Sequence, residues 1–263
     1  MKETAILKQA LRTAYTNKKL FLLSIIFDVL FLFVYGFATA PTYLKLMENV
    51  NVIGAHAGEV VKTATRESQS MLSALSSETV APYFNNIIWL LLILAATVYL
   101  IYCIFQALNW KIALQLTGKK INYLDYLKKF LLLNILWFIL FMLYYALGFV
   151  VDIRKVLIST LTQTEPSHVL NIVLAFYLIF IAYFAVISYV KQNLGKSIKT
   201  GAGKIKQLLP SILLIAVYLL ALNIVIKLLA SLNPIIAVIT GFILLLPAAT
   251  IARIYISLII QKA

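Results

Sequence analysis

Hydrophobic residues form long, nearly uninterrupted runs along the 263-residue chain, and polar residues gather in the stretches between them. Six of these runs are long enough to cross about 30 Å of hydrocarbon as α-helices, which rise ~1.5 Å per residue. The predicted spans are Leu20–Ala40, Ile87–Leu108, Leu131–Val151, Val169–Val190, Leu208–Ala230 and Ile235–Ser257. The pattern predicts an all-α, polytopic membrane protein with six transmembrane helices in a single membrane domain, residues 1–263.

The composition excludes other classes of protein. Hydrophobic residues make up 63% of the chain and charged residues 12%, and the mean hydropathy is +0.97. Soluble domains are about 45–50% apolar and about 25% charged. These values exclude a soluble globular enzyme, a disordered chain and a fibrous protein. The single cysteine, Cys103, lies in an apolar run, where we interpret it as a small buried side chain.

The basic residues are distributed unequally between the two sides of the predicted membrane domain. Seventeen of the 23 lysines and arginines lie in the N-terminal segment, in the second and fourth connections and at the C-terminal end, where we place Arg253 and Lys262. Since basic residues accumulate on the cytoplasmic side, both termini are predicted to be cytoplasmic, in a multi-pass protein of the cell (plasma) membrane. The net charge of +14 lies beside apolar spans, which favours anionic lipid headgroups over nucleic acid as partners.

The odd-numbered spans begin with similar sequences. The segments 18–26, 128–136 and 205–213 align, and they place a small polar residue at the same position: Ser24, Asn134 and Ser211. The unequal spacing of the three segments matches the unequal lengths of the outer connections, 41–86 and 152–167. We therefore predict three repeated units, each a cytoplasmic interfacial helix followed by a transmembrane hairpin, with one insertion. Such repeats occur in transporters and also in scaffolding proteins.

Each unit begins with a candidate interfacial helix. In the first, Ile6, Leu7, Ala10, Leu11, Ala14 and Tyr15 recur at helical spacing, with Lys8, Gln9, Arg12 and Thr13 opposite. The second follows a helix stop at Gly118 and is capped by Asn122. In the third, residues 194–206, three glycines lower the helix propensity. We interpret that segment as an irregular loop, with a hinge as the alternative.

The basic residues of these segments are predicted to contact anionic lipid headgroups. They are Lys8, Arg12, Lys18, Lys19, Lys119, Lys120, Lys128, Lys129, Lys196, Lys199, Lys204 and Lys206.

Two features of the sequence carry a resemblance to known proteins. They are the Lys-Lys pairs that precede apolar spans, at 18–19 and 128–129, and the Gly-Lys-Ser-Ile-Lys stretch at 195–199. The chain resembles uncharacterised prokaryotic six-span integral membrane proteins, archaeal ones included. More distantly, it is similar to the membrane domain attached to some glycerophosphodiester phosphodiesterases. The resemblance covers most of the chain except 41–86. It implies a six-span fold and no catalytic residues.

The largest polar segment is 41–86, which we predict to be an extracytoplasmic helical insertion. One helical face carries Ile53, Ala57, Val60, Ala64, Met71 and Leu75. This face either binds a partner or a second copy of the chain, or it folds back over its own bundle. Tyr83, Phe84 and Trp89 then mark the outer membrane interface, where aromatic side chains gather.

Motifs for catalysis, cofactors and metals are not recognisable. Gly195-Lys196-Ser197 resembles the end of a phosphate-binding loop, but the glycine that the motif requires five positions earlier is Val190. His56 and His168 are far apart in sequence and have no cysteines or acid clusters beside them. We therefore predict no cofactor, no metal site and no enzymatic activity.

Asp28 is the acidic residue that falls inside a predicted span. A charged aspartate near the bilayer centre costs about 2.5–3.5 kcal/mol on insertion scales, so it should face the bundle, a cavity or a partner. Ser24 lies one helical turn earlier, and Asn134 and Ser211 occupy the equivalent depth in the other units. The sequence predicts an intramembrane polar cluster of these four residues. It either binds a proton, a cation or a headgroup, or fixes helix packing by hydrogen bonds.

Two functions follow from this pattern. The first is a non-enzymatic integral membrane protein that binds anionic lipids or partner proteins through its basic cytoplasmic face. The alternative is the permease subunit of a transporter powered by a separate ATPase chain, with residues 109–130 as the coupling segment. A lipid-modifying enzyme is a third class, and it is disfavoured because few acids, Asp28 and Asp125 among them, are predicted near the inner leaflet.

Overall fold

Helices account for nearly all of the described chain. The computed structural model describes residues 2–63, 80–162 and 168–262. The helices are α1 (Lys2–Thr16), α2 (Lys18–Thr63), α3 (Ala81–Leu116), α4 (Tyr123–Thr162), α5 (Val169–Lys191), α6 (Leu194–Gly203), α7 (Ile205–Leu232), α8 (Pro234–Thr240) and α9 (Leu246–Lys262), with a π-helical turn at Gly241–Leu245. Within these ranges no residue belongs to a β-strand, which confirms the predicted all-α class.

In the part of the chain that the structure describes, six stretches of helix are long and apolar enough to cross a membrane, and each contains one of the predicted spans. In their most apolar windows only 6% to 28% of residues are buried inside the protein. In water, so much exposed apolar surface would be strongly unfavourable, whereas hydrocarbon solvates it. The chain is therefore a multi-pass membrane protein.

Several helices extend beyond the predicted spans. The first span was predicted to end at Ala40, but α2 continues through Pro41 to Thr63, so the first part of 41–86 belongs to the same helix. Ala64, Met71 and Leu75, on the helical face predicted in 41–86, lie outside the described residues. The second interfacial helix is not separate either, because α4 begins at Tyr123 and continues through its span.

The turn before α4 forms as its sequence predicts. Gly118 adopts φ +92°, a left-handed conformation that a side chain would strain. The amide of Lys119 donates to the carbonyl of Leu114 and thereby ends α3. Asn122 caps α4, because its Oδ1 accepts a hydrogen bond from the amide of Leu124 at 3.1 Å.

The chain divides into two compact units. The first comprises residues 1–29 and 103–263, and the second comprises residues 30–102. Within the first unit α4 packs along α5, α5 contacts α6, and α7 contacts α8. Helix α9 contacts α1, α5 and α7, so the C-terminal helix is the element on which much of this unit assembles.

The last span changes its helical pitch before Pro247. Residues Gly241–Leu245 form a π-helical turn, in which the amide of Leu246 donates to the carbonyl of Gly241. Pro247 has no amide hydrogen to donate within the helix, and a wider turn accommodates such an interruption. The interruption at Pro247 is thus preceded by a local change of pitch.

Candidate functional site

Asp28 is paired with an arginine inside the first unit. The guanidinium of Arg253 on α9 donates to both carboxylate oxygens of Asp28 on α2: Nη1 to Oδ2 at 2.7 Å and Nη2 to Oδ1 at 2.9 Å. The side chain of Asp28 is 6% exposed and that of Arg253 is 13% exposed. This two-pronged geometry matches the planar guanidinium to the carboxylate and makes a short, charge-assisted contact.

A third helix completes the environment of the carboxylate. Asn109 of α3, which is fully buried, donates from Nδ2 to Asp28 Oδ1 at 2.7 Å. Its Oδ1 accepts from the hydroxyl of Ser24 at 3.0 Å, and Thr250 donates to that hydroxyl at 3.3 Å. Arg253 Nη2 also reaches Gln106 Oε1 at 3.4 Å. We call these six residues the ion-pair network.

The ion-pair network connects α2, α3 and α9 through one buried carboxylate. Three donors satisfy that carboxylate, so its charge is compensated where water is scarce. Opposite charges in contact are also the arrangement that an apolar environment tolerates best. The network therefore fixes the relative position of the three helices.

Arg253 is the residue of the ion-pair network that the charge pattern assigned to the wrong location. We counted it with the basic residues at the cytoplasmic C-terminal end, whereas its guanidinium lies beside Asp28 within α9. The sequence did carry a signal. Arg253 falls inside the predicted span Ile235–Ser257, just as Asp28 falls inside Leu20–Ala40. Two opposite charges inside two spans favour a pair.

Asn134 belongs to a different buried group, between α4 and α5. Its Oδ1 accepts from the hydroxyl of Tyr189 at 2.8 Å, and its Nδ2 donates to the carbonyl of Phe130 at 2.9 Å. Close by, the indole of Trp137 donates to the hydroxyl of Ser188 at 2.9 Å. The bonds made by Tyr189 and Trp137 join α4 to α5.

Ser211, the fourth residue of the predicted cluster, lies on α7. It is 2% exposed, and its hydroxyl donates to the carbonyl of Gln207 in the same helix at 3.1 Å. Ser24 and Asn134 are also buried, at 1% and 3% exposure. The three aligned positions thus share burial, but the structure brings Ser24 together with Asp28 and places Asn134 in the α4–α5 group.

Helix α1 contacts α9 with its small residues and exposes its larger ones. Ala10 and Ala14 are buried, while Leu7, Leu11 and Tyr15 are exposed at 36%, 47% and 72%. Lys8 and Arg12 are exposed as well, next to this apolar strip on the helix. The helix therefore presents an apolar surface with a basic margin, which is the composition of helices that lie in a membrane interface.

The segment predicted as an irregular loop is a helix, so that prediction is wrong. Asn193 caps α6 by accepting from the amide of Lys196 at 2.9 Å. Gly201 packs so closely on α5 that an added Cβ would lie 2.7 Å from Cε1 of Phe184. The hydroxyl of Tyr183 donates to the carbonyl of Gly201 at 2.8 Å. Close packing on α5 offsets the low helix propensity of the glycines.

The outward side of α6 is basic. Ser197 and Gly201 are buried, whereas Lys196 and Lys199 are exposed and Ile198 is 48% exposed beside them. Like α1, this helix attaches through small residues and leaves an apolar residue and two cations uncovered. Lys18, Lys19, Lys120, Lys128, Lys129, Lys204 and Lys206 are also exposed.

Lys119 lies where the ends of α3 and α5 meet. Its ammonium donates to the carbonyl of Val190 at 3.3 Å, near the C-terminus of α5, where carbonyl groups attract cations. Partial burial, and then the positive charge of Lys191, lower the pKa of Lys119. The two lysines therefore create a positive potential that an anion would relieve.

Metal-binding side chains are scattered. Within residues 2–63, 80–162 and 168–262, no three histidine, cysteine or acidic side chains are grouped closely enough to hold a metal ion. His168 is exposed at the start of α5 and Cys103 is buried in α3.

Comparison of the chain with protein-family models, with curated proteins and with solved structures finds no match.

Proposed function

We propose that this chain is a non-enzymatic integral membrane protein that binds anionic lipids through a basic face formed by α1, α6 and the adjoining helix ends. In this proposal both termini and the basic face are cytoplasmic, and the membrane is the plasma membrane. Anionic headgroups concentrate in that leaflet and attract basic segments, at about 1 kcal/mol per residue near the surface.

The observation that carries the proposal is the common construction of α1 and α6. Each helix buries small residues and exposes apolar side chains beside two cations: a strip of three on α1, and Ile198 on α6. Insertion of the exposed apolar side chains between lipid headgroups lowers the free energy, and so does contact of the cations with lipid phosphates. A helix that only faced water would gain nothing from exposed Leu11 and Tyr15.

The ion-pair network supports this face indirectly. It fixes α2, which follows α1 after a single residue, and it fixes α9, on which α1 rests. A basic helix held in one orientation loses less conformational entropy when it binds lipid. We therefore assign Asp28 and Arg253 a positioning role, and we assign the lipid contacts to the exposed lysines and arginine.

Native mass spectrometry of the purified full-length chain tests the proposal. Phosphatidylglycerol is titrated against phosphatidylcholine, and bound lipids are counted. The variants Lys8→Gln/Arg12→Gln and Lys196→Gln/Lys199→Gln are each expected to weaken phosphatidylglycerol binding about thirtyfold, the effect of losing roughly 2 kcal/mol with two cations. Phosphatidylcholine binding should change little, because it depends less on these charges.

The matched control is Lys155→Gln/Lys227→Gln, which removes the same charge on the side predicted to be external. Its phosphatidylglycerol binding should equal that of the natural chain. Equal losses in all three variants would show a dependence on net charge alone and would contradict the proposed face. Stoichiometric recovery of an ATPase with the chain would instead favour the permease subunit, with residues 109–130 as the contact to examine.

A further inference from the structure

The second unit contains a cleft between facing sides of α2 and α3. Its volume is about 420 Å³, within the ~300–1,000 Å³ range usual for small-molecule sites. Residues spaced by three, four and seven positions line it on both helices, so each helix contributes one continuous side. They are Lys45, Glu48, Asn49 and Val52 on α2 and Tyr83, Asn86, Trp89 and Leu90 on α3.

Opposite charges lie one helical turn apart in this cleft. Lys45 and Glu48 both line it and both are exposed. Among the described residues, no ion pair joins either side chain to a partner. The side-chain amide of Asn49 donates to the backbone carbonyl of Lys45 at 2.7 Å, which holds this amide close to the backbone of Lys45. The cleft thus presents a cation, an anion and neutral hydrogen-bonding groups to one ligand.

The surroundings of the cleft are apolar and aromatic. Trp89, in the lining, is 66% exposed, and Leu44 and Phe84 on the two helices are 68% and 55% exposed. Exposed tryptophan and tyrosine beside an apolar surface are typical of the membrane–water interface. A ligand in this cleft would therefore have its polar part among the charges and an apolar part along the helices.

We propose that the cleft binds the headgroup of a zwitterionic phospholipid, with the phosphate at Lys45 and the ammonium group at Glu48. Asn49 and Asn86 supply hydrogen bonds to the phosphate and ester oxygens, and the indole of Trp89 lies along the glycerol and the upper acyl chain. The assignment rests on charge complementarity. A purely anionic headgroup carries no cation of its own to pair with the carboxylate of Glu48, whereas a zwitterionic headgroup does.

This site is separate from the proposed function. It is formed by residues of the second unit alone, whereas the basic face belongs to α1 and α6 of the first unit. It also selects a zwitterionic headgroup, whereas the basic face selects an anionic one.

Competition between two lipids tests the proposal. The full-length chain, in a detergent that preserves bound lipid, is first loaded with phosphatidylethanolamine and is then titrated with phosphatidylglycerol of the same acyl chains. Native mass spectrometry then reports binding. The natural chain is expected to retain one phosphatidylethanolamine that phosphatidylglycerol does not displace. Lys45→Gln should weaken phosphatidylethanolamine binding about tenfold, and Glu48→Gln should abolish the preference over phosphatidylglycerol.

Two controls keep the outcome decisive. Lys227→Gln removes an exposed lysine from α7 and should leave both affinities unchanged. Because Lys45 and Glu48 are exposed, the three variants should unfold at the temperature of the natural chain. Displacement of the retained phosphatidylethanolamine by phosphatidylglycerol, or an unaltered preference in Glu48→Gln, overturns the proposal. Displacement by water-soluble glycerophosphoethanolamine at the same concentration as lipid would also overturn it, because the ligand would then be a soluble phosphodiester.

Discussion

The carboxylate of Asp28 shows how a single residue is tolerated in an apolar span. It accepts three hydrogen bonds, two from Arg253 and one from Asn109. A buried ion pair of this kind contributes little net stability relative to apolar residues, because both charges lose their hydration. Removal of one partner is far more costly, since the remaining charge keeps its desolvation penalty and loses its compensation.

Arg253→Gln should therefore destabilise the protein by about 3–5 kcal/mol. The double variant Asp28→Asn/Arg253→Gln should recover part of that loss, because no uncompensated charge remains. The measurement is the free energy of unfolding by denaturant in a constant detergent. Arg12→Gln, which removes an exposed arginine of α1, serves as the control and should remain within about 0.5 kcal/mol. A double variant less stable than Arg253→Gln would contradict the ion-pair interpretation.

Asp28→Asn also separates the two interpretations of this aspartate. In the positioning role, a variant that folds normally keeps its affinity for phosphatidylglycerol. A normally folded variant that has lost this affinity would indicate that the charge of Asp28 itself takes part in binding.

At the scale of the element, α6 is a helix because of what it contacts. Its sequence contains three glycines, and its intrinsic helix propensity is low. Two features compensate: the cap at Asn193 and the close approach of Gly201 to Phe184 and Ile187. The carbonyl of Gly201 also accepts a hydrogen bond from the buried hydroxyl of Tyr183. The glycine that weakens the helix in isolation is therefore the residue that allows it to pack on α5.

Gly201→Ala should lower the free energy of unfolding by about 1–3 kcal/mol, the usual penalty for overpacking a close contact. Gly203→Ala provides the matched comparison in the same helix, since a Cβ at that position meets no atom within 4 Å. It should be neutral or should stabilise by up to about 1 kcal/mol through improved helix propensity. Thermal unfolding of the two variants in one detergent measures the difference. Equal unfolding temperatures would show that α6 does not depend on this packing.

At the scale of the whole molecule, the unequal distribution of basic residues determines the predicted orientation. An even number of spans, six by prediction, would place both termini on one side of the membrane, and the excess of lysine and arginine in the N-terminal segment and in the second and fourth connections predicts that this side is cytoplasmic. Because Arg253 lies within α9, it no longer counts toward that excess. The excess of basic residues nevertheless stays on the same side.

Cysteine labelling in intact cells tests this orientation. The native Cys103 is fully buried, so it should contribute little background. A membrane-impermeant maleimide should label His168→Cys and Ser231→Cys from outside, and it should label Lys120→Cys only after permeabilisation. All three positions are exposed in the structure. The reverse pattern would place α1 and α6 outside the cell and would exclude the cytoplasmic leaflet as their lipid source.

The features that the sequence determines by itself depend on residues close together in the chain or on the solvent around one helix. The length of an apolar run is set by bilayer thickness, so the six spans can be predicted from hydropathy alone. The turn at Gly118 and the cap at Asn122 are likewise predictable, because each depends on a backbone conformation and a side chain only a few residues apart. The burial of Ser24, Asp28, Asn134 and Ser211 was predictable for a similar reason, since polar groups inside a span avoid lipid.

Only the tertiary structure decides which of these residues meet. Asp28 and Arg253 are 225 positions apart, and no pattern in the sequence places Asn109 between them or moves Asn134 to Tyr189. The helical state of α6 depends on space beside Phe184, and the cleft depends on the approach of α2 to α3. Such contacts join distant parts of the chain and arise from packing, whereas the spans arise from the solvent that surrounds each helix.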